Sequence, residues 1–291
     1  MLKNKFLRLL SVFLIIIMTV SVFAGCSSKE NTGAANESEK LNVICMDVGK
    51  GDCILITKGD FAALIDTGYK ATADETIALL KENNIEKLDF IIITHYDKDH
   101  VGGAAKIISA LNVGKVYLPD YTGESKHYES MNQALEETGT VSDIVSEDIS
   151  FTVNGLNFEI FASDIEYIAN ENGEGNDNNV SLITGLTYGE DSYLFAGDIE
   201  KAGIKSYLKA GHTSYDVVKM PHHGSEYGNT DEFINSVSPE IALITDSADE
   251  PADGETLELL AGAGASVYRT STDGSITVTS DGSGEYTVSV S

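Results

Sequence analysis

The chain has 291 residues, 42% of them hydrophobic, and a formal net charge of −27 at pH 7. That composition excludes an intrinsically disordered chain and suits one large domain or two small ones. The charge argues against avid passive binding to a phosphate backbone, which depends on Lys and Arg displacing counterions.

The N-terminus opens on a basic stretch, MLKNKFLR, followed by the apolar run LLSVFLIIIMTVSV and then FAGC. This is the layout of a secretory signal. Ala24-Gly25-Cys26 resembles a bacterial lipobox. That implies a leader over residues 1–25, a lipid on Cys26, and an exported body anchored at the outer face of the cytoplasmic membrane. The alternative is an uncleaved anchor of about 19 apolar residues, which leaves the body on the same side. Residues 26–40 read as a polar, flexible linker with a reach on the order of 20 Å. Residues 1–25 hold three cations and no acid, so the body is more acidic than the whole chain. Residues 41–291 read as a single domain.

In that domain LNVICMDVG alternates apolar and polar residues and predicts a strand. CILIT and FAALIDTG, separated by KGD, predict two more in a meander. ATADETIALLKENN has helical spacing and an acidic first turn. LDFIIITH is an unbroken apolar run of strand length, which suits a strand buried on both faces. GGAAKIISALN predicts a helix, KVYLP a strand and HYESMNQALEETG a second helix. ISFTVNGLNFEIFA reads as a hairpin turning at Asn154-Gly155, and NENGEGNDNN as a loop. VSLITGLTYGEDSYLFAGD is another hairpin, ending at Asp198. A helix at IEKAGIKSYLKAG and a strand at YDVVKMP lead into HHGS. EIALIT, ETLELLAGAGA, SVYRT, SITVTS and YTVSV complete a strand, a helix and three strands. Each half carries its own strands and helices. Two sheets packed face to face with helices outside is the economical layered solution, of class α+β. Cys45 and Cys53 flank the turn MDVGKGD. They are expected as free thiols rather than a disulfide, although export permits one.

Four stretches carry chemistry: LIDTG (Asp66), THYDKDHVGG (His95, Asp97, Asp99, His100), FAGDIE (Asp198) and MPHHGS (His222, His223). Each follows a predicted strand, so all can meet at one sheet edge. Imidazoles and carboxylates suit first-row divalent metals. The pair His95 and Asp97 can face one ion, and Asp99 and His100 another. Two ions about 3.5–4 Å apart need a bridging carboxylate, for which Asp198 is well placed. One such Asp or His alone reads as a cap or turn former, whereas four within six residues do not. Asp66 reads as an Asx turn or, preferably, as a carboxylate holding a ligand histidine by its other ring nitrogen. In HHGS one histidine is a ligand and the other a substrate contact or general acid; the sequence does not say which. His127 and His212 read as surface histidines. Lys50, Lys70, Lys98 and Lys219 lie in or beside the motif loops, and read equally as a positive rim or as solvated lysines.

The ordered set DVGKGDCILI, ALIDTG, IIITHYDKDHVGG, NNVSLIT, LFAGDIE, VKMPHHGS and VYRTSTDGSI runs from Leu41 to about Ser280. It resembles the metallo-β-lactamase superfamily, and within it the hydrolase domain of ComEC-type DNA-uptake proteins and their free-standing relatives. The resemblance implies a four-layer αββα sandwich with metals at one edge. It implies one ion on His95 and Asp97, and another on Asp99, His100 and one of His222 and His223, with Asp198 shared. HYDKDH carries Asp97 where the family's HxHxDH box has its second histidine. The family's third histidine is missing, and Asn178 and Asn179 stand near its place as metal or substrate contacts or as loop formers. Glu250-Pro251 stands where relatives carry His-Pro. These departures harden the first ion's surroundings and shift the expected metal from zinc toward manganese. The implied reaction is phosphodiester hydrolysis by a metal-bound hydroxide, with one or two zinc or manganese ions. Asp99, His222, His223 and Lys219 are the implied catalytic groups, and DNA or a cell-wall polymer the implied substrate. Hydrolysis of another ester, lactone or amide is the second expectation, and a non-catalytic metal-binding lipoprotein the third.

Overall fold

A computed structural model describes residues 40–169, 175–212 and 214–291. The leader expected at 1–25, including the approach to Cys26, and nearly all of the linker at 26–40 lie outside the described residues. β1 (Leu41–Cys45), β2 (Ile54–Lys58) and β3 (Phe61–Ile65) form an antiparallel meander. α1 (Ala73–Glu82), β4 (Lys87–Leu88) and β5 (Phe90–Ile92) follow. Next come α2 (Ala104–Ala110), β6 (Asn112–Val113), β7 (Lys115–Pro119), α3 (Lys126–Thr138) and β8 (Val141–Val145). α3 starts on Ser125, whose hydroxyl accepts the Tyr128 N–H, and stops on Gly139 at φ 70°. β9 (Ile149–Val153) and β10 (Leu156–Phe161) make the Asn154-Gly155 hairpin, and β11 (Ile183–Tyr188) and β12 (Asp191–Phe195) the next one. The chain continues through α4 (Lys201–Ala210), β13 (Val217–Lys219), α5 (Thr230–Val237), β14 (Ile241–Ile244), α6 (Gly254–Ala263) and β15 (Ser266–Arg269). The short α7 (Thr270–Asp273), β16 (Ile276–Ser280) and β17 (Tyr286–Val290) close it.

The strands form two large mixed sheets, ordered β17-β16-β1-β2-β3-β5-β7-β8 and β15-β14-β13-β12-β11-β10-β9. One buried cluster draws on both, including Val43, Ile54, Phe90, Phe158, Tyr193 and Phe195, and is the layer between the sheets. A second fills the outer face of the first sheet beneath α1, α2 and α3, and a third the outer face of the second sheet beneath α4, α5 and α6. The fold is therefore an α+β sandwich of four layers, αββα. β5 shows why its run is apolar throughout: Phe90 and Ile92 enter the inter-sheet core while Ile91 faces the helices.

The chain does not divide into two independent halves. β16 and β17, which end the sequence of the second half, return to the first sheet, where β16 pairs antiparallel with β1. The cross-over buries Ile276 and Val278 in the inter-sheet core and covers the edge that β1 would otherwise expose. Two elements carry little sequence signal. β8 has four of its five residues exposed. α5 has only eight residues, too few to form alone; burial of Phe233, Ile234 and Val237 holds it, at about 1.5–3 kcal/mol each. Part of the expected NENGEGNDNN loop is a 3-10 turn, Asp177–Val180. Cys45 and Cys53 are both free. Cys45 points into the inter-sheet core and Cys53 into the helix-covered face beside the Met46 sulfur, so the two thiols sit on opposite sides of the sheet.

Candidate metal centre

Strand direction brings the motifs together. β3, β5 and β7 run parallel, as do β12, β13 and β14, so the segments that leave β3, β5, β12, β13 and β14 emerge at strand C-terminal ends. These segments carry Asp66, Thr94 to His100, Asp198, His222 with His223, and Thr245. Asp52 joins them because β2 is antiparallel to β3, so its entry lies at the same edge.

Asp66 adopts φ 57°, a left-handed conformation that an aspartate tolerates better than most residues. Its Oδ1 accepts the Thr94 N–H at 2.8 Å, and its Oδ2 accepts the Thr94 hydroxyl at 2.7 Å and lies 2.7 Å from His100 Nδ1. Because the Thr94 hydroxyl donates to Asp66, its lone pairs face His95 Nδ1 at 3.0 Å. On the other side the Thr245 hydroxyl donates to Asp52 Oδ1 at 2.6 Å and lies 3.0 Å from His223 Nδ1. Each of these three buried imidazoles thus has Nδ1 committed to an acceptor, which leaves Nε2 turned toward the site.

The three Nε2 atoms face carboxylates. His100 Nε2 and His223 Nε2 each lie 3.1 Å from Asp198 Oδ2, and 3.8 and 3.5 Å from Asp99 Oδ2. His95 Nε2 is buried without a hydrogen-bond partner and faces Asp97 Oδ2 at 3.7 Å. Ligand atoms of Asp99, His100, Asp198 and His223 all lie within 4.8 Å of one another. Lone pairs of neutral imidazoles aimed at carboxylate oxygens repel unless a cation stands between them, so this donor set fits a divalent metal. Asp198 Oδ1, also buried and without a hydrogen-bond partner, is a further free donor at the same place.

Protons take the role of the cation in the protein alone. Burial opposes charge on His100 and His223, yet Asp198, with Asp66 for His100 and Asp99 for His223, outweighs it and raises both above the ordinary imidazole value. Burial likewise works against the Asp99 and Asp198 carboxylates, but the facing imidazoles hold both well below the usual range.

The two histidines of HHGS separate here. His222 and His223 adopt φ 40° and 56°, two consecutive side chains in the left-handed region, followed by Gly224 at φ 84°. That backbone sends His223 into the four-residue cluster and His222 to its margin. His222 Nε2 is 3.8 Å from Asp198 Oδ2, its Nδ1 meets the Tyr227 hydroxyl, and its side chain is 22% exposed. Burial pushes its pKa down. Asn178 and Asn179 both donate their amide N–H to Glu200, at 3.0 and 3.2 Å; Asn179 Oδ1 accepts the Gly203 N–H, whereas Asn178 Oδ1 is buried without a hydrogen-bond partner. Glu200 also accepts the Tyr227 hydroxyl.

Lys219 corrects the sequence expectation. It is neither a rim lysine nor a solvated one: it is fully buried, with Nζ 2.5 Å from Asp52 Oδ2 and 3.7 Å from Asp198 Oδ1. As a buried cation beneath Asp198, it has no exposed surface from which to meet a substrate. Lys70 and Lys98 are exposed, and Lys50 lies 4.0 Å from Glu250. His212 is partly buried at the surface, its ring centroid 4.2 Å from that of Phe161 and 4.5 Å from that of Tyr207. Sequence reasoning missed Asp52, Thr245 and Glu200. Asp52 lies inside the motif DVGKGD, whose glycines and paired acids were the available signal, and Glu200 inside FAGDIE, where a second acid beside the singled-out Asp198 was the signal; Thr245 carries none.

The profile of the metallo-beta-lactamase superfamily matches residues 46–244. Among characterised proteins, the chain is 26% identical over 230 residues to ComE operon protein 3 of Bacillus subtilis, covering 72% of this chain and 28% of that protein. It is 28% identical over 204 residues to Competence protein ComA of Neisseria gonorrhoeae, covering 69% and 26%. The chain therefore spans only about a quarter of these relatives. Among solved structures, the metallo-beta-lactamase fold protein YhfI from Bacillus subtilis superposes with TM-score 0.53 at 13% identity, over 81% of this chain and 99% of that one. Igni18, a metallo hydrolase from Ignicoccus hospitalis, gives 0.54 at 14%, over 81% and 98%. With the αββα fold and a His/Asp cluster able to hold a divalent metal, the chain belongs to the metallo-beta-lactamase superfamily as a hydrolase homologous to ComEC-like competence proteins.

Proposed function

We propose that the protein is a metal-dependent phosphodiesterase tethered to the outer face of the cytoplasmic membrane through Cys26. The observation that carries the catalytic part is the convergence of three imidazole Nε2 atoms on Asp97, Asp99 and Asp198 at one sheet edge. His100, His223, Asp99 and Asp198 would hold one ion, and His95 and Asp97 a second, with Asp198 between them. Zinc and manganese both suit these donors; the carboxylate at Asp97 favours manganese at the first position. A bound divalent ion supplies Lewis acidity and a nucleophile at neutral pH. The chain's own groups do the rest: Asp66 fixes the His100 ring, and Thr94 the His95 ring. His222, partly exposed at the margin, would hydrogen-bond a phosphoryl oxygen of the substrate.

The names of the relatives, a competence protein and a ComE operon protein, support DNA as the source of the phosphodiester. The proposed surface position fits a cell-wall polymer carrying the same bond equally well. The test expresses the protein from Ser27 onward, measures bound metal, and assays bis-nitrophenyl phosphate, single- and double-stranded DNA, phosphorylcholine esters and nitrocefin with zinc and with manganese. Phosphodiester turnover that disappears in Asp198→Ala together with the metal is the expected result. A metal-free protein, turnover that survives Asp198→Ala, or nitrocefin turnover without phosphodiester turnover each defeats the reading.

A further inference from the structure

Behind the metal-facing side chains lies a second line of buried polar groups that the reaction does not explain. Asp52, Lys219 and Thr245 are each at most 1% exposed, and all three come from different parts of the chain. Asp52 precedes β2 in the first sheet, Lys219 ends β13 and Thr245 follows β14, both in the second sheet. The contacts run in one direction. Lys219 Nζ sits 2.5 Å from Asp52 Oδ2; Asp52 Oδ1 accepts the Thr245 hydroxyl at 2.6 Å; Thr245 Oγ1 faces His223 Nδ1 at 3.0 Å.

A charged pair so deeply buried is costly to desolvate, and apolar residues of similar volume would often serve stability as well. Its retention at this place calls for a task. The directions of the hydrogen bonds supply one. A hydroxyl has a single proton, and the Thr245 proton is given to Asp52. Only its lone pairs remain for His223, so His223 Nδ1 must be the protonated nitrogen and Nε2 the free one. We propose that Thr245, Asp52 and Lys219 are positioning residues that select the His223 tautomer and ring orientation needed to ligate the metal. Lys219 serves the chain twice. Its Nζ sits against Asp52 Oδ2, which leaves Oδ1 to accept the Thr245 hydroxyl. It also stands 3.7 Å from Asp198 Oδ1, so one ammonium is shared between the metal-facing carboxylate and Asp52. A similar arrangement, His95 to Thr94 to Asp66, occurs on the first-sheet side without a lysine. The Thr245 chain differs in spanning the two sheets, so the register between them is written into the geometry of one ligand.

The inference rests on the metal reading above, and one titration separates the two. Full-length protein is stripped of metal and its affinity for zinc and for manganese is measured by competition with a chromophoric chelator, with no assay of turnover. Thr245→Val keeps the shape and deletes the hydroxyl; its affinity is expected to fall about 10–100-fold, the usual cost of losing a partner of a ligand histidine. Thr245→Ser, which restores the hydroxyl, should recover affinity to within a few-fold of the parent. Asp52→Asn should weaken binding further than Thr245→Val, since the Lys219 charge then rests on Asp198 alone. Thermal melts of the metal-free variants are run alongside, and the valine variant should melt close to the parent. A valine variant that folds and binds metal as tightly as the parent overturns the proposal while leaving the metal reading intact. If Thr245→Val does not fold, the serine and asparagine variants decide it: equal affinity in Asp52→Asn and parent overturns it. A parent protein that binds neither metal overturns both.

Discussion

At the scale of single residues, the site is a set of charges that cannot be left as they are. Asp52, Asp99 and Asp198 are held low by Lys219, His100 and His223 against the cost of burial, and His100 and His223 are held high by the same contacts. The carboxylates, lowered in the fold, contribute stability that is present above about pH 4 and is lost as pH falls through their folded values. The imidazoles, raised in the fold, contribute stability that is complete below about pH 6.5 and is lost as pH rises through theirs. The metal-free protein should therefore be most stable near about pH 5–6 and melt earlier on either side. Saturating zinc or manganese should replace those protons and flatten the alkaline limb. Calorimetry from acid to mild alkali, with and without metal, reads both limbs; an alkaline limb that metal leaves untouched would mean that the ion binds elsewhere. Asp66, Asp97, Asp198 and the histidines were visible in the sequence because four such groups fall within six residues and the remaining motifs also follow predicted strands. The burial of Lys219 was not visible. It depends on Asp52, far away in sequence, and a lysine beside a loop motif reads as solvated until its partner is known.

At the scale of elements, two glycines set how closely the loop after β5 approaches the loop after β3. A Cβ on Gly102 would lie 2.1 Å from the Lys98 carbonyl oxygen, and one on Gly103 2.3 Å from that of Thr67. Neither contact is with a movable side-chain tip, so the backbone itself must shift. Gly102→Ala and Gly103→Ala should each cost roughly 1–3 kcal/mol and weaken metal binding, because Asp99 and His100 lie just before them. Gly262, inside α6 with open space around it, is the control; Gly262→Ala should stabilise by about 0.5–1 kcal/mol. Urea midpoints of the three variants make the comparison, and equal midpoints for Gly102→Ala and Gly262→Ala would contradict it. The strands and helices themselves were legible wherever periodicity or turn chemistry was strong, as at the Asn154-Gly155 hairpin and in α3 with its stop at Gly139. β8 and α5 were not, because an exposed edge strand has no alternation to show and an eight-residue helix is made by its packing.

At the scale of the whole molecule, the last two strands decide whether the first sheet is closed. Removing residues 276–291 strips β16 from β1 and uncovers a core that includes Leu41, Val43, Ile54 and Ile56. Loss of Ile276 and Val278 alone is worth about 1.5–3 kcal/mol each, against a total of about 5–15 kcal/mol for a typical domain. The truncated protein should self-associate through the bare β1 edge and melt well below the parent, in size-exclusion and thermal measurements; a monomer of parental stability would show that the closure is dispensable. The sandwich as a class was readable from the order of strands and helices, but this cross-over was not, since no local signal tells a strand which sheet to join.

That same pairing has a temporal side. Among the described strands β1 is made first and its partner β16 nearly last, with Leu41 opposite Ser280. Such a contact closes a loop that spans almost the whole domain, and its entropy must be lost before the ladder returns anything. During synthesis β1 therefore waits, with one edge open, until residues 276–280 have emerged. By then every side chain of the metal centre, from Asp52 to Thr245, is already in place along the chain. The sandwich becomes a finished fold only once β16 is made, and a nascent chain stalled before that point would be an aggregation hazard carrying a complete set of ligands.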